Sequence, residues 1–123
     1  MLSQEIIDAW AEREGATVLT TVSSEGRPNS IWVMSTGLYK NEHIIIADNY
    51  FDKTKANILS TGIASVLFTT KDGRSYQLKG TMSYHRDGPF YDFMKEVTPP
   101  KFPRRAAVVL HATEIYSGSE RLR

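Results

Sequence analysis

The run from Ile44 to Leu59 constrains this chain most, because two incompatible periodicities meet inside it. Ile44-Ile45-Ile46-Ala47 is apolar and β-branched, and it reads as a buried strand. The pattern breaks at Asp48-Asn49 and restarts at Asp52, an N-cap residue, as a short helix. Lys53 and Lys55 then fall in the first helical turn, where the helix dipole disfavours cations by roughly a few tenths of a kcal/mol. Two readings fit that placement: a pair of solvated surface lysines, or a bound anion that reverses the penalty. In the second reading, free N–H groups of the helix start, the Lys53 ammonium and the Thr54 hydroxyl together form a phosphate site. Asn57 lies one turn further on the same side of the helix.

The 123 residues suffice for one domain, 1–123, with a real core, since a chain of this length buries roughly two-thirds of its unfolded surface. The formal net charge of +1 provides no general attraction to nucleic acid or anionic membranes, and neither is expected as a partner. With no cysteine present, disulfides, thiolate catalysis and cysteine–metal sites are excluded. Met1-Leu2-Ser3-Gln4-Glu5 does not resemble a signal peptide, and no stretch reaches transmembrane length, so a cytoplasmic location is expected.

In chain order, Ser3 caps a helix carrying Ile6, Ile7 and Trp10 on one face and ending near Gly15. Ala16 to Ser23 reads as a strand, followed by a Ser24-Glu25-Gly26 turn. A second strand carries Ser30-Ile31-Trp32-Val33-Met34 and continues to Tyr39. A third spans His43–Ala47. After the short helix, Ile63–Thr69 is a strand, and Asp72-Gly73 signals a hairpin. The returning strand alternates, with Tyr76, Leu78, Met82 and Tyr84 on one face. Asp87-Gly88-Pro89 opens a helix bearing Phe90, Phe93, Met94 and Val97. Thr98–Pro103 is a proline-rich loop, Ala106–Tyr116 a last strand, and Ser117–Arg123 a loose polar tail. Six strands with short connections and small flanking helices predict a mainly β, barrel-like sheet.

The side chains show no catalytic machine. His43, His85 and His111 are isolated along the chain and read as strand residues with satisfied rings. Asp48 and Asp52 flank a helix start, where capping explains them. Lys101, Arg104 and Arg105, interrupted by Phe102, read as a solvated loop or part of a subunit contact. Any chemistry would then be carried by a bound cofactor.

Ser30-Ile31-Trp32, Ala47-Asp48-Asn49, Asp52-Lys53-Thr54-Lys55-Ala56-Asn57 and Lys79-Gly80…Arg86-Asp87-Gly88-Pro89 occur in an order that resembles the FMN-binding split β-barrel superfamily. That superfamily includes pyridoxamine 5′-phosphate oxidase and small bacterial FMN-binding proteins, and the likeness to the latter is the stronger. The resemblance implies a six-stranded split barrel and a homodimer with FMN in a groove at the subunit interface. It assigns the FMN phosphate to Lys53 and Thr54, supported by Asn57. It makes Ser30, Ile31 and Trp32 the groove wall, and brings Ala47, Asp48 and Asn49 to the flavin or ribityl chain through backbone groups. Arg74 and Ser75 would reach the other subunit's flavin. Trp32 as plain core, Asn49 as a turn residue and Asn57 as an exposed helix residue are the structural alternatives. Lys53 and Thr54 are both expected at the surface.

The sequence departs from pyridoxamine 5′-phosphate oxidase at its end, Ser119–Arg123, where no substrate-binding arginine and histidine block follows, so vitamin B6 oxidation is not expected. The small relatives suggest instead a flavin-dependent oxidoreductase reduced by NAD(P)H, or a protein that passes electrons to a redox partner. A non-catalytic electron carrier, a relative binding the deazaflavin F420 or haem, and a cofactor-free interaction module are the rival readings.

Overall fold

A computed structural model describes residues 1–123. Its elements are α1 (Gln4–Ala11), β1 (Thr17–Val22), β2 (Pro28–Val33), β3 (Thr36–Tyr39), β4 (His43–Asp48), α2 (Lys53–Ser60), β5 (Ile63–Thr69), β6 (Ser75–His85), α3 (Gly88–Val97), β7 (Ala106–Ser117) and β8 (Glu120–Arg121). The strands form one antiparallel sheet in the order β2-β1-β5-β6-β7-β4-β3, with β8 added to β7. The sheet's two edges, β2 and β3, are consecutive in sequence and joined only by Met34-Ser35. A connection that short forces the sheet to curl until its edges meet, which makes a split barrel.

The sheet has eight strands rather than the expected six, for two reasons. The stretch from Ser30 to Tyr39 divides at Met34-Ser35 because its halves pair with different neighbours, β1 on one side and β4 on the other. A β-prone run does not reveal a change of partner. The C-terminal tail is also not loose. Gly118 turns it at φ +56°, β8 pairs back on Tyr116 and Ser117, and Leu122 packs against the core.

Inside the barrel, Leu19, Val66, Tyr76, Leu78, Met82, Val108, Leu110 and Ile115 bury the inward-facing positions. The alternation expected for β6 is borne out at Tyr76, Leu78 and Met82. α1 contributes Leu2, Ile6, Ala9 and Trp10 to the same core, with the Trp10 ring edge-on to Phe68 at 5.1 Å. Ser3 accepts the Ile6 N–H at 3.4 Å, as its capping role predicts. α3 covers the outside of the sheet, where Met94 meets Ile45, Ala47, Ala107 and Val109. No helix is long and apolar enough to cross a membrane.

The three histidines are not isolated in space. His43, His85 and His111 converge from β4, β6 and β7 beside Phe90 of α3. The Ser83 hydroxyl meets Nε2 of His85 at 2.7 Å and Nε2 of His111 at 2.9 Å, while the buried Nδ1 of His43 has no partner. Only Glu42, 4.0 Å from His43, offers a countercharge. Burial, then the neighbouring His43 and His85, hold the His111 imidazole below its ordinary value. The folded chain therefore resists a proton that the unfolded chain takes up. This contribution is neutral above the ordinary histidine range, and stability declines as pH falls through it. Urea midpoints are expected to drop between pH 7 and pH 5, and to drop less in His111→Gln.

Candidate functional site

α2 begins on a turn that the end of β4 holds in place. Asp48 is fully buried, and its Oδ1 accepts the Phe51 N–H at 2.9 Å. The other oxygen, Oδ2, accepts the Tyr84 hydroxyl at 2.5 Å. Burial, and then that carboxylate, push the Tyr84 phenol up to about 12, so it remains a donor across the physiological range. Asn49 braces the same turn. Its Nδ2 reaches the Ser35 hydroxyl at 3.4 Å and its Oδ1 accepts the Arg104 N–H at 3.0 Å. Asp52 occupies the N-cap position without making a side-chain cap bond. The N–H groups of Lys53, Thr54 and Lys55 consequently have no acceptor in the chain, an open donor set at the positive end of the helix.

Two clefts lie along β2, one lined by Pro28 and Asn29 and the other by Ile31, Trp32 and Val33. One, of about 360 Å³, lies between the β1–β2 hairpin and the start of α2, and is lined by Arg27, Pro28, Asn29, Lys53 and Asn57 among others. Arg27 and Lys53 are exposed there and form no ion pair, and Glu25 is the one carboxylate beside them. With two cations and one anion among its lining side chains, and the free amides of the helix start beside Lys53, the cleft can attract a negatively charged group. The other cleft, of about 330 Å³, opens at the seam between the sheet edges. Its walls are apolar: Ile31 and Trp32 from β2, Ala47 from β4, Tyr50 and Phe51 from the turn, and Phe102 from the α3–β7 loop. Trp32, Met34 and Tyr50 are 73%, 71% and 69% exposed, so these large side chains face outward with nothing over them.

Most of the residues singled out from sequence fall on these clefts. Lys53 and Asn57 line the charged one; Ile31, Trp32, Ala47 and Asn49 line the apolar one. Trp32 is not core. Asp48, Ser30 and Thr54 line neither. Ser30 pairs its hydroxyl with Thr20 at 2.8 Å on the exposed face of the β1–β2 ribbon. Thr54 is buried rather than at the surface, and accepts the Asn29 amide at 3.2 Å. Asn57 is buried too, and its amide donates to Thr21 at 3.0 Å, tying α2 to β1. Arg74 is spent within its own chain on Asp72, Glu12 and the Tyr76 hydroxyl.

Arg27 carries no local signal in the sequence, and Phe102 reads there only as an interruption of a basic run. Arg27 sits beside a hairpin tip, and only the register Val22↔Pro28 shows that it overlooks α2. Phe102 belongs to a proline loop whose course cannot be read from local pattern. A positively charged cleft and an aromatic-walled groove on the same strand suit a phosphate ester that carries a flat, conjugated ring.

The comparisons with known proteins bear on this arrangement. A family model described as pyridoxamine 5′-phosphate oxidase matches residues 3–118. An uncharacterised protein of Methanocaldococcus jannaschii is 31% identical over 104 residues, covering 80% of this chain and 70% of that protein. Among solved structures, HupZ of Group A Streptococcus superposes with a TM-score of 0.81 at 23% identity, over 95% of this chain and 94% of that one. An FMN-binding protein of Syntrophomonas wolfei superposes with a TM-score of 0.73 at 25% identity, over 87% and 78% of the two chains. A match that runs nearly the whole length of the sequence, on a sheet curled as described, places this chain in the pyridoxamine 5′-phosphate oxidase family.

Proposed function

We propose that the protein binds FMN and works in redox chemistry as a flavoprotein, with the flavin carrying electrons and the chain supplying binding and orientation. One observation carries this reading: the unpaired Arg27 and Lys53 line one cleft at the start of α2, where three helix amides have no acceptor, and β2 runs from that cleft to the Trp32 groove. In this assignment Lys53, Arg27 and the α2 amides hold the phosphate. Asn57 and Thr54 support them from behind by fixing α2 against β1 and β2. Ile31, Trp32 and Ala47 face the ring system, and Ser30, Asp48 and Asn49 shape the backbone around it. The FMN-binding name of the Syntrophomonas wolfei relative supports the choice of cofactor.

The functional unit in this reading is a homodimer with FMN at the subunit interface. The exposed Trp32, Met34 and Tyr50 beside the groove are the apolar surface a second copy would cover. Sedimentation at micromolar concentration is expected to show a dimer, and a monomer would contradict it. For the cofactor, purified protein should show flavin absorbance bands, or acquire them on adding FMN, with acid releasing FMN. A colourless protein that takes up no FMN would overturn the proposal. Steady-state turnover of NADH or NADPH with an acceptor would mark an oxidoreductase; ready one-electron reduction without turnover would mark an electron carrier.

A further inference from the structure

We propose that Tyr84 is a positioning residue for the cofactor site, although it lines neither cleft; the inference rests on the FMN reading above. The turn that leads into α2 and α2 itself both meet this one side chain. Its hydroxyl donates to Asp48 at the end of β4, and Asp48 in turn takes the Phe51 N–H, so the phenol braces the turn carrying Tyr50 and Phe51 into the groove. Its ring lies beneath the Lys55 ammonium, 5.5 Å from the centroid, which draws Lys55 to this side of α2 and away from the cleft that Lys53 lines. The Arg86 guanidinium lies 5.7 Å from the same ring. The Asp48 carboxylate is fully buried and forms no salt bridge, so the two donors from Tyr84 and Phe51 are what hold it there. Without the phenol, one oxygen of a buried anion is left unpaired at the foot of the turn, and the turn and the first turn of α2 loosen together.

The test compares Tyr84→Phe with Tyr76→Phe. Tyr76 lies on the same strand and also loses its phenol bonds, to Glu5 and from Arg74, but its hydroxyl bonds to neither the turn nor α2. FMN affinity is read by quenching of flavin fluorescence well below either melting temperature, and amide hydrogen exchange is followed at Phe51 and at Ala56, whose N–H donates to the Asp52 carbonyl at the start of α2. Tyr84→Phe is expected to bind FMN about ten-fold more weakly, about 1.4 kcal/mol. Its Phe51 and α2 amides should exchange faster, while Tyr76→Phe keeps wild-type affinity. Equal affinity in Tyr84→Phe and wild type, or an equal loss in Tyr76→Phe, overturns the positioning role and leaves the FMN reading intact. If the wild type itself binds no FMN, both fall. Should Tyr84→Phe fail to fold, both substitutions are compared on Asp48→Asn, which removes the buried charge: the double variant is expected to bind FMN more weakly than Asp48→Asn alone, and equal affinity in those two overturns the role.

Discussion

Replacing Lys53 and Arg27 together by alanine is expected to abolish tight FMN binding while leaving the chain folded. Each cation offers a phosphate a charge-assisted hydrogen bond worth about 1.5–3 kcal/mol. Losing both should weaken binding by about 3–6 kcal/mol, roughly a hundredfold to ten-thousandfold. Neither side chain is buried or ion-paired, so the melting temperature should move by no more than about 2 °C. Fluorescence titration with FMN beside a thermal melt measures both quantities. Wild-type affinity in the double variant would remove the charged cleft from consideration as the phosphate site. Thr54→Ala, which the sequence offers as an equally harmless partner for Lys53→Ala, is not clean. Thr54 is 2% exposed, and its loss leaves the Asn29 amide without its acceptor.

The largest effect on stability should come from Gly80→Ala. Between Lys79 and Gly80 the pairing of β6 with β7 shifts register: Lys79 faces Glu114 and Gly80 faces Ala112, which leaves Thr113 as an extra residue. At this bulge the strands approach so closely that a Cβ on Gly80 would sit 2.0 Å from the His111 carbonyl oxygen and 2.9 Å from its carbon. Both atoms are backbone, held by β6 at His111 and by the β4 ladder that ends at the adjacent Leu110, so a retreat would disturb both pairings. A cost of about 3 kcal/mol or more is expected, lowering the melting temperature by about 10 °C. Gly73→Ala is the comparison. It lies at the β5–β6 hairpin tip with φ +88° and nothing within 4 Å, so it carries only the conformational penalty of about 1 kcal/mol. A Gly80→Ala chain melting with the wild type would show that the bulge relaxes freely.

The strand-to-helix junction at Ile44–Leu59 was legible in the sequence because its signals are local: a β-branched run, a break and lysines where a helix dipole disfavours them. The unpaired helix amides follow from the same stretch. What was not legible depends on partners far away in the chain. Ser30–Tyr39 has one uniform β pattern, so nothing in it marks the step from one sheet edge to the other. His43, His85 and His111 lie up to 68 positions apart and become neighbours only because β4, β7 and β6 are adjacent. Thr54 and Asn57 carry polar side chains that suggest solvent, yet β1 and β2 supply Thr21 and Asn29 to satisfy them in the interior. The cleft at the start of α2 was legible from its helix side and not from its hairpin side, which is why Lys53 stood out and Arg27 did not.

The two-residue tie between β2 and β3 also bears on what a protease would do to this molecule. A single nick between Met34, which is 71% exposed, and Ser35 breaks no strand ladder, so the two fragments should stay together as a folded pair. The lips of the barrel would then be free to part, exposing a row of unpaired backbone groups on each and inviting a foreign strand to dock there.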